Sequence, residues 1–194
     1  MLEYLSFKKG VVYRTRTVYT LCMYNSDNVS VADNQQERLV SRISNEIGCF
    51  LSGFALGEAS FMIICRPRKD YRSGWKISAA FNVSQHDVIP LELFQEKLQC
   101  GTLRKAGNDG WYYEVNKLSD IQTIVIPFFD RFPLLGKKAQ DFQCFKKAVN
   151  LMVNRTENSH VAILDLREKM NNGGKRKYSR VRILRDYTPN PHLR

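Results

Sequence analysis

Apolar and polar residues alternate most regularly between residues 75 and 84. Trp75, Ile77, Ala79, Phe81 and Val83 take one side of an extended chain, and Lys76, Ser78, Ala80, Asn82 and Ser84 take the other. A period of two predicts a strand with one side on a core and one side wet. Phe61 to Arg66 is a second strand, joined to the first through the basic turn 66–74. A later hairpin runs from Gly101 to Val115 around the turn Ala106-Gly107-Asn108-Asp109-Gly110. Its second strand alternates Trp111, Tyr113 and Val115 with Tyr112, Glu114 and Asn116. Trp75, Trp111 and Tyr113 belong to the core side. Helical spacing fills the gaps. Cys49 to Gly57 is apolar and rich in small residues, with Gly53 and Gly57 four apart on one face. Gly57 is expected to end that helix and Glu58 to follow at its exit. Leu91 to Leu98 begins just after Pro90. Ser119 or Asp120 can cap a helix carrying Ile121, Ile124, Val125, Phe128 and Phe129, broken by Pro133. Further helices carry Phe142, Phe145, Val149 and Met152, then Val161, Ile163, Leu164 and Leu166.

The order helix, hairpin, helix, hairpin, helix, helix predicts an α+β fold. It is αββαββα around a four-stranded antiparallel sheet with one wet face, plus an extra C-terminal helix. The unit occurs once. It spans residues 47–170, after an N-terminal extension, 1–46, to which the sequence assigns no role. Within that extension Val11 to Cys22 could form a strand, Met23 to Gln36 is turn-prone, and Gln36 to Ile47 has helical character.

Charge narrows the partners. The 194 residues include 30 Lys and Arg against 19 Asp and Glu, a net charge of +11. Such an excess points to a polyanion, with nucleic acid first and an anionic membrane second. No run of about 18 apolar residues could span a bilayer. No secretory signal pattern opens the chain, and no basic amphipathic helix suits a membrane surface. Residues 171–194 hold seven Lys and Arg against Asp186, which reads as a solvated arm adding nonspecific phosphate affinity. The five cysteines are scattered and never form C-x-x-C. They read as apolar fillers in a reducing intracellular compartment, a bacterial cytoplasm or an organelle, rather than as a disulfide framework or a zinc site. Three histidines are too few for a His-rich nuclease motif or a zinc protease helix.

The segment Phe50-Leu51-Ser52-Gly53-Phe54-Ala55-Leu56-Gly57-Glu58-Ala59-Ser60-Phe61 resembles the signature of the LAGLIDADG homing endonucleases. Three more segments resemble that family in the expected order: Phe81 to His86, Ile126 to Lys138, and Asp141 to Lys146. The resemblance implies a saddle-shaped α+β fold of the single-motif, homodimeric type. The signature helix would form the subunit interface through Leu51, Gly53, Phe54 and Gly57. Glu58, where many members carry Asp, would bind the catalytic divalent metal, Mg²⁺ or another cation such as Mn²⁺. Gln85 would position the attacking water, and Lys138 or Lys137 would stabilise developing charge. Some relatives carry a further basic residue shortly after the Gln; Val88 and Ile89 occupy that stretch here, and His86 is a substitute candidate.

The resemblance thus implies a metal-dependent, site-specific double-strand DNA endonuclease of the intron-homing kind. It would act on a near-palindromic site, with no organic cofactor. Phosphodiester cleavage needs a placed water and neutralised charge, which a hard cation on carboxylate and phosphate oxygens supplies. A second acid would come from a second subunit across a two-fold axis. Recognition is expected from the polar sheet face in the major groove, through Arg66, Arg68, Lys69, Arg72, Lys76, Ser78, Asn82, Arg104, Lys105 and Tyr112. The alternative is a non-cleaving binder on the same scaffold, an RNA-splicing maturase or a DNA-binding regulator, which would have no need of Glu58.

Overall fold

Ser44 starts the structure that matters most. In a computed structural model, which describes residues 39–187 except 72, 108, 109, 157 and 175, its backbone is extended and its Oγ accepts the N–H of Ile47 at 3.4 Å. That cap sets helix α1 as Asn45–Glu58, earlier than the apolar run suggested, because its first turn is polar. Ahead of it, residues 39–41 form one helical turn, and Val40 and Ile43 are buried in the core, so the folded unit begins before residue 47. The expected strand Val11 to Cys22, Arg72 and residues 188–194 lie outside the described residues.

Gly57 does not end α1. The helix runs through Glu58, and Ala59 turns extended with its N–H still donating to the Ala55 carbonyl. Strand β1, Ala59–Pro67, follows with no loop. Glu58 is therefore the last helical residue and Ala59 the first of the sheet. The chain then builds β2 (Trp75–Gln85), α2 (Ile89–Leu98), β3 (Thr102–Lys105) and β4 (Trp111–Val115). The sheet order is β1-β2-β4-β3, antiparallel throughout, as the alternation predicts.

Helix α3, residues 118–131, is not capped by Ser119 or Asp120. It enters through Leu118–Asp120, widens to a π segment over Ile121–Val125, and returns to α over Ile126–Arg131. Pro127 sits just past the widened turns. A proline ring there would clash with the carbonyl four residues back in a regular helix, and the π segment relieves the clash. Helices α4 (Gly136–Val153) and α5 (Ser159–Lys169) complete the layer on the apolar sheet face.

Phe61 is the hub of the core. Its ring lies 5.4, 5.3, 5.4 and 5.2 Å from those of Phe81, Phe129, Phe142 and Phe145. Tyr113 is fully buried but keeps its hydroxyl paired, donating to the Cys100 carbonyl at 3.1 Å. Burial pushes its phenol pKa far up and the Cys100 thiol up to about 11.

The basic C-terminal stretch is not a solvated arm through residue 187. Ser179 caps a helix α6, Arg180–Asp186, by accepting the Arg182 N–H at 3.3 Å. Ile183 is fully buried in a second, small core with Cys65, Trp75 and Leu164. Tyr178 meets Trp75 edge to face at 5.1 Å, and Asn171 Nδ2 donates to the Phe61 carbonyl at 3.0 Å. The charge count concealed this because only Ile183, with Leu184 packed beside it, carries the docking from α6. Ile183→Ala should lower unfolding free energy by about 2–4 kcal/mol in a urea titration.

Candidate active site and nucleic-acid interface

The register sorts the sheet's side chains. Ser60 pairs with Asn82, Met62 with Ala80, Ile64 with Ser78 and Arg66 with Lys76 across β1 and β2. Asn82 continues to Glu114 and Thr102, and Ser84 to Tyr112 and Arg104, across β4 and β3. Cross-strand partners share a face, so these rows make up the wet face. Arg66, Lys76, Ser78, Asn82, Arg104 and Tyr112 all lie on it, as expected from the sequence.

Lys105 does not. It pairs with Trp111 and Gln85 on the side of the apolar face, because consecutive strand residues point opposite ways. Arg68 and Lys69 are exposed in the β1–β2 turn. Arg68 is held by Asp70 through two bonds of 2.7 Å, and that pairing keeps the Asp70 carboxyl down at about 2. Arg104 forms an ion pair with Glu114. Met62 and Ile64, outside the expected contact set, also lie on the wet face, and so does Glu114, as the alternation of its strand predicts.

Three of the candidate catalytic residues, Glu58, Gln85 and Lys138, are placed at the same end of the sheet. Ala59 pairs with Val83, so Glu58 and Gln85 bracket the start of β1 and the end of β2. Gln85 has the parity of the apolar face, which turns it away from the base-reading rows and toward the helix layer. Its Oε1 accepts the His86 N–H at 2.8 Å. Lys137 and Lys138 both lie in the first turn of α4, where adjacent residues diverge by about 100°. Lys138 Nζ donates to the Ala59 carbonyl, the residue following Glu58. Lys137 Nζ instead donates to Asp141 Oδ1 at 2.5 Å, and Asp141 is itself buried and accepts the Asn171 N–H at 3.1 Å. The geometry separates two lysines that spacing left equivalent.

Glu58 is exposed. A carboxylate at a helix C-terminus faces the negative end of the helix dipole, an unfavourable place for an anion unless a cation joins it. Among the described residues no group of three or more His, Cys, Asp and Glu could enclose a metal ion. One hard carboxylate oxygen donor per unit fits an open site whose remaining ligands are phosphate and water oxygens.

The outer face of α1 is open. A Cβ on Gly53 or Gly57 would meet nothing within 4 Å. Phe50, outside the expected interface set, is 51% exposed on this helix, and Phe54 is half-buried. Leu51, expected at the subunit interface, is fully buried in the protomer's own core and cannot contact another chain. One position along a helix separates the two faces. The tightly packed glycine on this helix is Gly48, where a Cβ would collide with the Phe132 ring.

Comparison with known proteins agrees with this architecture. A family model described as LAGLIDADG endonuclease matches residues 51–149. "Probable intron-encoded endonuclease 3" of Neurospora crassa is 34% identical over 124 residues, 62% of this chain and 22% of the relative. "Homing endonuclease I-ApeII" of Aeropyrum pernix is 28% identical over 152 residues, 71% of this chain and 90% of the relative. The chain spans 22–27% of the length of three fungal relatives it matches. Among solved structures, the homing endonuclease I-TnaI superposes with a TM-score of 0.62 at 26% identity, covering 72% of this chain and 94% of that one. I-SmaMI bound to cleaved DNA gives 0.62 at 28% identity, covering 68% and 45%. I-SmaMI has also been solved on an uncleaved DNA target in the presence of calcium ions.

Proposed function

The chain belongs to the LAGLIDADG endonuclease family, and from that premise we propose that it cuts both strands of DNA at a specific site, as an intron-homing endonuclease. The observation that carries the reading is the placement of Glu58, Gln85 and Lys138 at one sheet end, with Lys138 drawn to the Ala59 carbonyl and Lys137 drawn away to Asp141.

The wet face lies in the major groove, where base edges distinguish all four pairs. Arg66, Lys76 and the exposed turn residues hold phosphates and guanines; Asn82 suits adenine. This docking brings the strand end, with Glu58, to the scissile phosphate. Glu58 would hold a divalent cation, Mg²⁺ or Mn²⁺, which when bound neutralises phosphate charge and lowers the pKa of water. Gln85 orients the attacking water through its amide. The Lys138 ammonium, anchored on the Ala59 carbonyl, faces the negative charge that grows on the phosphate during attack.

One unit supplies one such end, so cutting two strands calls for two. I-SmaMI, of which this chain covers about half, supports a two-unit assembly. We place the second unit in a second copy of the chain, packed through Gly53, Gly57, Phe54 and Phe50. Gly53→Val with Gly57→Val should leave the protomer folded, since neither Cβ would meet anything within it. Sedimentation should then show a monomer where the wild type is a dimer.

The direct test incubates the protein and Mg²⁺ with an uninterrupted copy of the gene that hosts its reading frame. A double-strand cut at one site, abolished by EDTA, is the expected result. Tight, specific binding without any cut would make the protein a binder on this scaffold.

A further inference from the structure

The wet face is not uniformly polar. From the catalytic end outward, its rows on β1 and β2 are Ser60 with Asn82, Met62 with Ala80, Ile64 with Ser78, and Arg66 with Lys76. Two large apolar side chains thus stand consecutively on the face that otherwise carries hydroxyl, amide and basic groups. Met62 and Ile64 are both part-exposed. Ala80, beside Met62, is fully covered although it belongs to neither core cluster, so the strip has a small-residue floor. Neither row offers a charged donor or acceptor, and only Ser78 can hydrogen-bond.

We propose that Met62 and Ile64 form an apolar strip that reads thymine 5-methyl groups in the middle of each half-site. The inference rests on the reading of this face as a DNA major-groove surface. In that groove only thymine presents an apolar group, and aliphatic side chains are its natural partners. Withdrawing the part-exposed Met62 and Ile64 from water against those methyls is favourable in proportion to apolar area. Wet-face residues on one strand step by about 6.6 Å, and a duplex advances about 3.4 Å per base pair. Met62 and Ile64 therefore address positions roughly two base pairs apart. Arg66 and Lys76 take the next positions outward, where guanine suits them, and Asn82 the position inward, where adenine does. The surface thus prescribes an order for the half-site, with a thymine-bearing block between a polar inner position and a guanine-bearing outer one.

Selection of bound duplexes from a randomised pool, using the full chain in calcium to prevent cutting, yields the preferred site. Each thymine is then replaced in turn by deoxyuridine, which lacks only the methyl group. Affinity should fall about fourfold per replacement within the middle block, the worth of one buried methyl, and stay unchanged at the outer positions. Reselection with Ile64→Gln should change the base preferred at one middle position from thymine to adenine, which a glutamine binds through two bonds. Met62→Gln should do the same at the other. A filler role for these residues would shift overall affinity without changing any base. Uniform indifference to deoxyuridine, or unchanged base preference in both glutamine variants, overturns the strip while leaving DNA recognition standing. Failure to select any sequence overturns the DNA reading itself, and the strip with it.

Discussion

Glu58→Gln should reduce DNA cleavage by more than about a hundredfold while leaving site binding in calcium and thermal stability near wild type. The carboxylate is exposed and terminates α1, so nothing in the fold depends on its charge. An uncharged amide at a helix C-terminus is, if anything, slightly better tolerated than an anion. The loss should appear in kcat, read by single-turnover cleavage of a saturated substrate. A Glu58→Gln protein that cuts at the wild-type rate would remove this residue from the chemistry. The lysine pair refines the test. Lys138→Ala should slow cutting with little change in melting temperature. Lys137→Ala should do the reverse, because it strips the buried Asp141 carboxylate of its ammonium partner. Equal kinetic losses from both variants would contradict the division of roles read from their hydrogen bonds.

Phe61→Ala should destabilise the protein by about 3–5 kcal/mol. That is a large part of the 5–15 kcal/mol that holds a typical domain together. Phe61 is fully buried, and four phenylalanine rings from β2, α3 and α4 surround it within 5.4 Å. Truncation leaves a cavity that rings on three different elements cannot jointly close. Equilibrium denaturation should show an earlier midpoint with an unchanged slope. A loss below about 1 kcal/mol would mean that the core collapses freely around residue 61. Because Phe61 lies two residues beyond Ala59, the same variant should loosen the junction that carries Glu58, and cutting should weaken even where the protein remains folded.

Much of this architecture was legible in the residues. Alternation over 75–84 and 111–115 identified both central strands and the correct wet face, since a half-buried strand must separate apolar from polar side chains at every step. The signature around Gly53, Gly57 and Glu58 located the acid at a helix exit. Pattern was weaker where one residue decides a placement. Leu51 and Phe50 are adjacent and both apolar, yet one is buried and the other is 51% exposed. Lys105 lies beside Arg104 in a basic pair, and its parity alone removes it from the reading face. The basic stretch after residue 170 looked solvated because charges outnumber apolar residues there, but Ile183 docks it against Trp75.

The sequence by itself determined the order of elements from α1 to α5, the polarity of the sheet and the acid at the end of the signature helix. These follow from local periodicity and from the refusal of apolar side chains to stay in water. Only the tertiary structure decided which of two neighbouring lysines reaches the Ala59 carbonyl next to Glu58, which side of α1 stays free, and that the basic C-terminal stretch folds into a docked helix. Those choices depend on what lies across a gap from a given side chain. Residues far apart in the chain supply it: Ala59 for Lys138, Phe132 for Gly48, Trp75 for Tyr178.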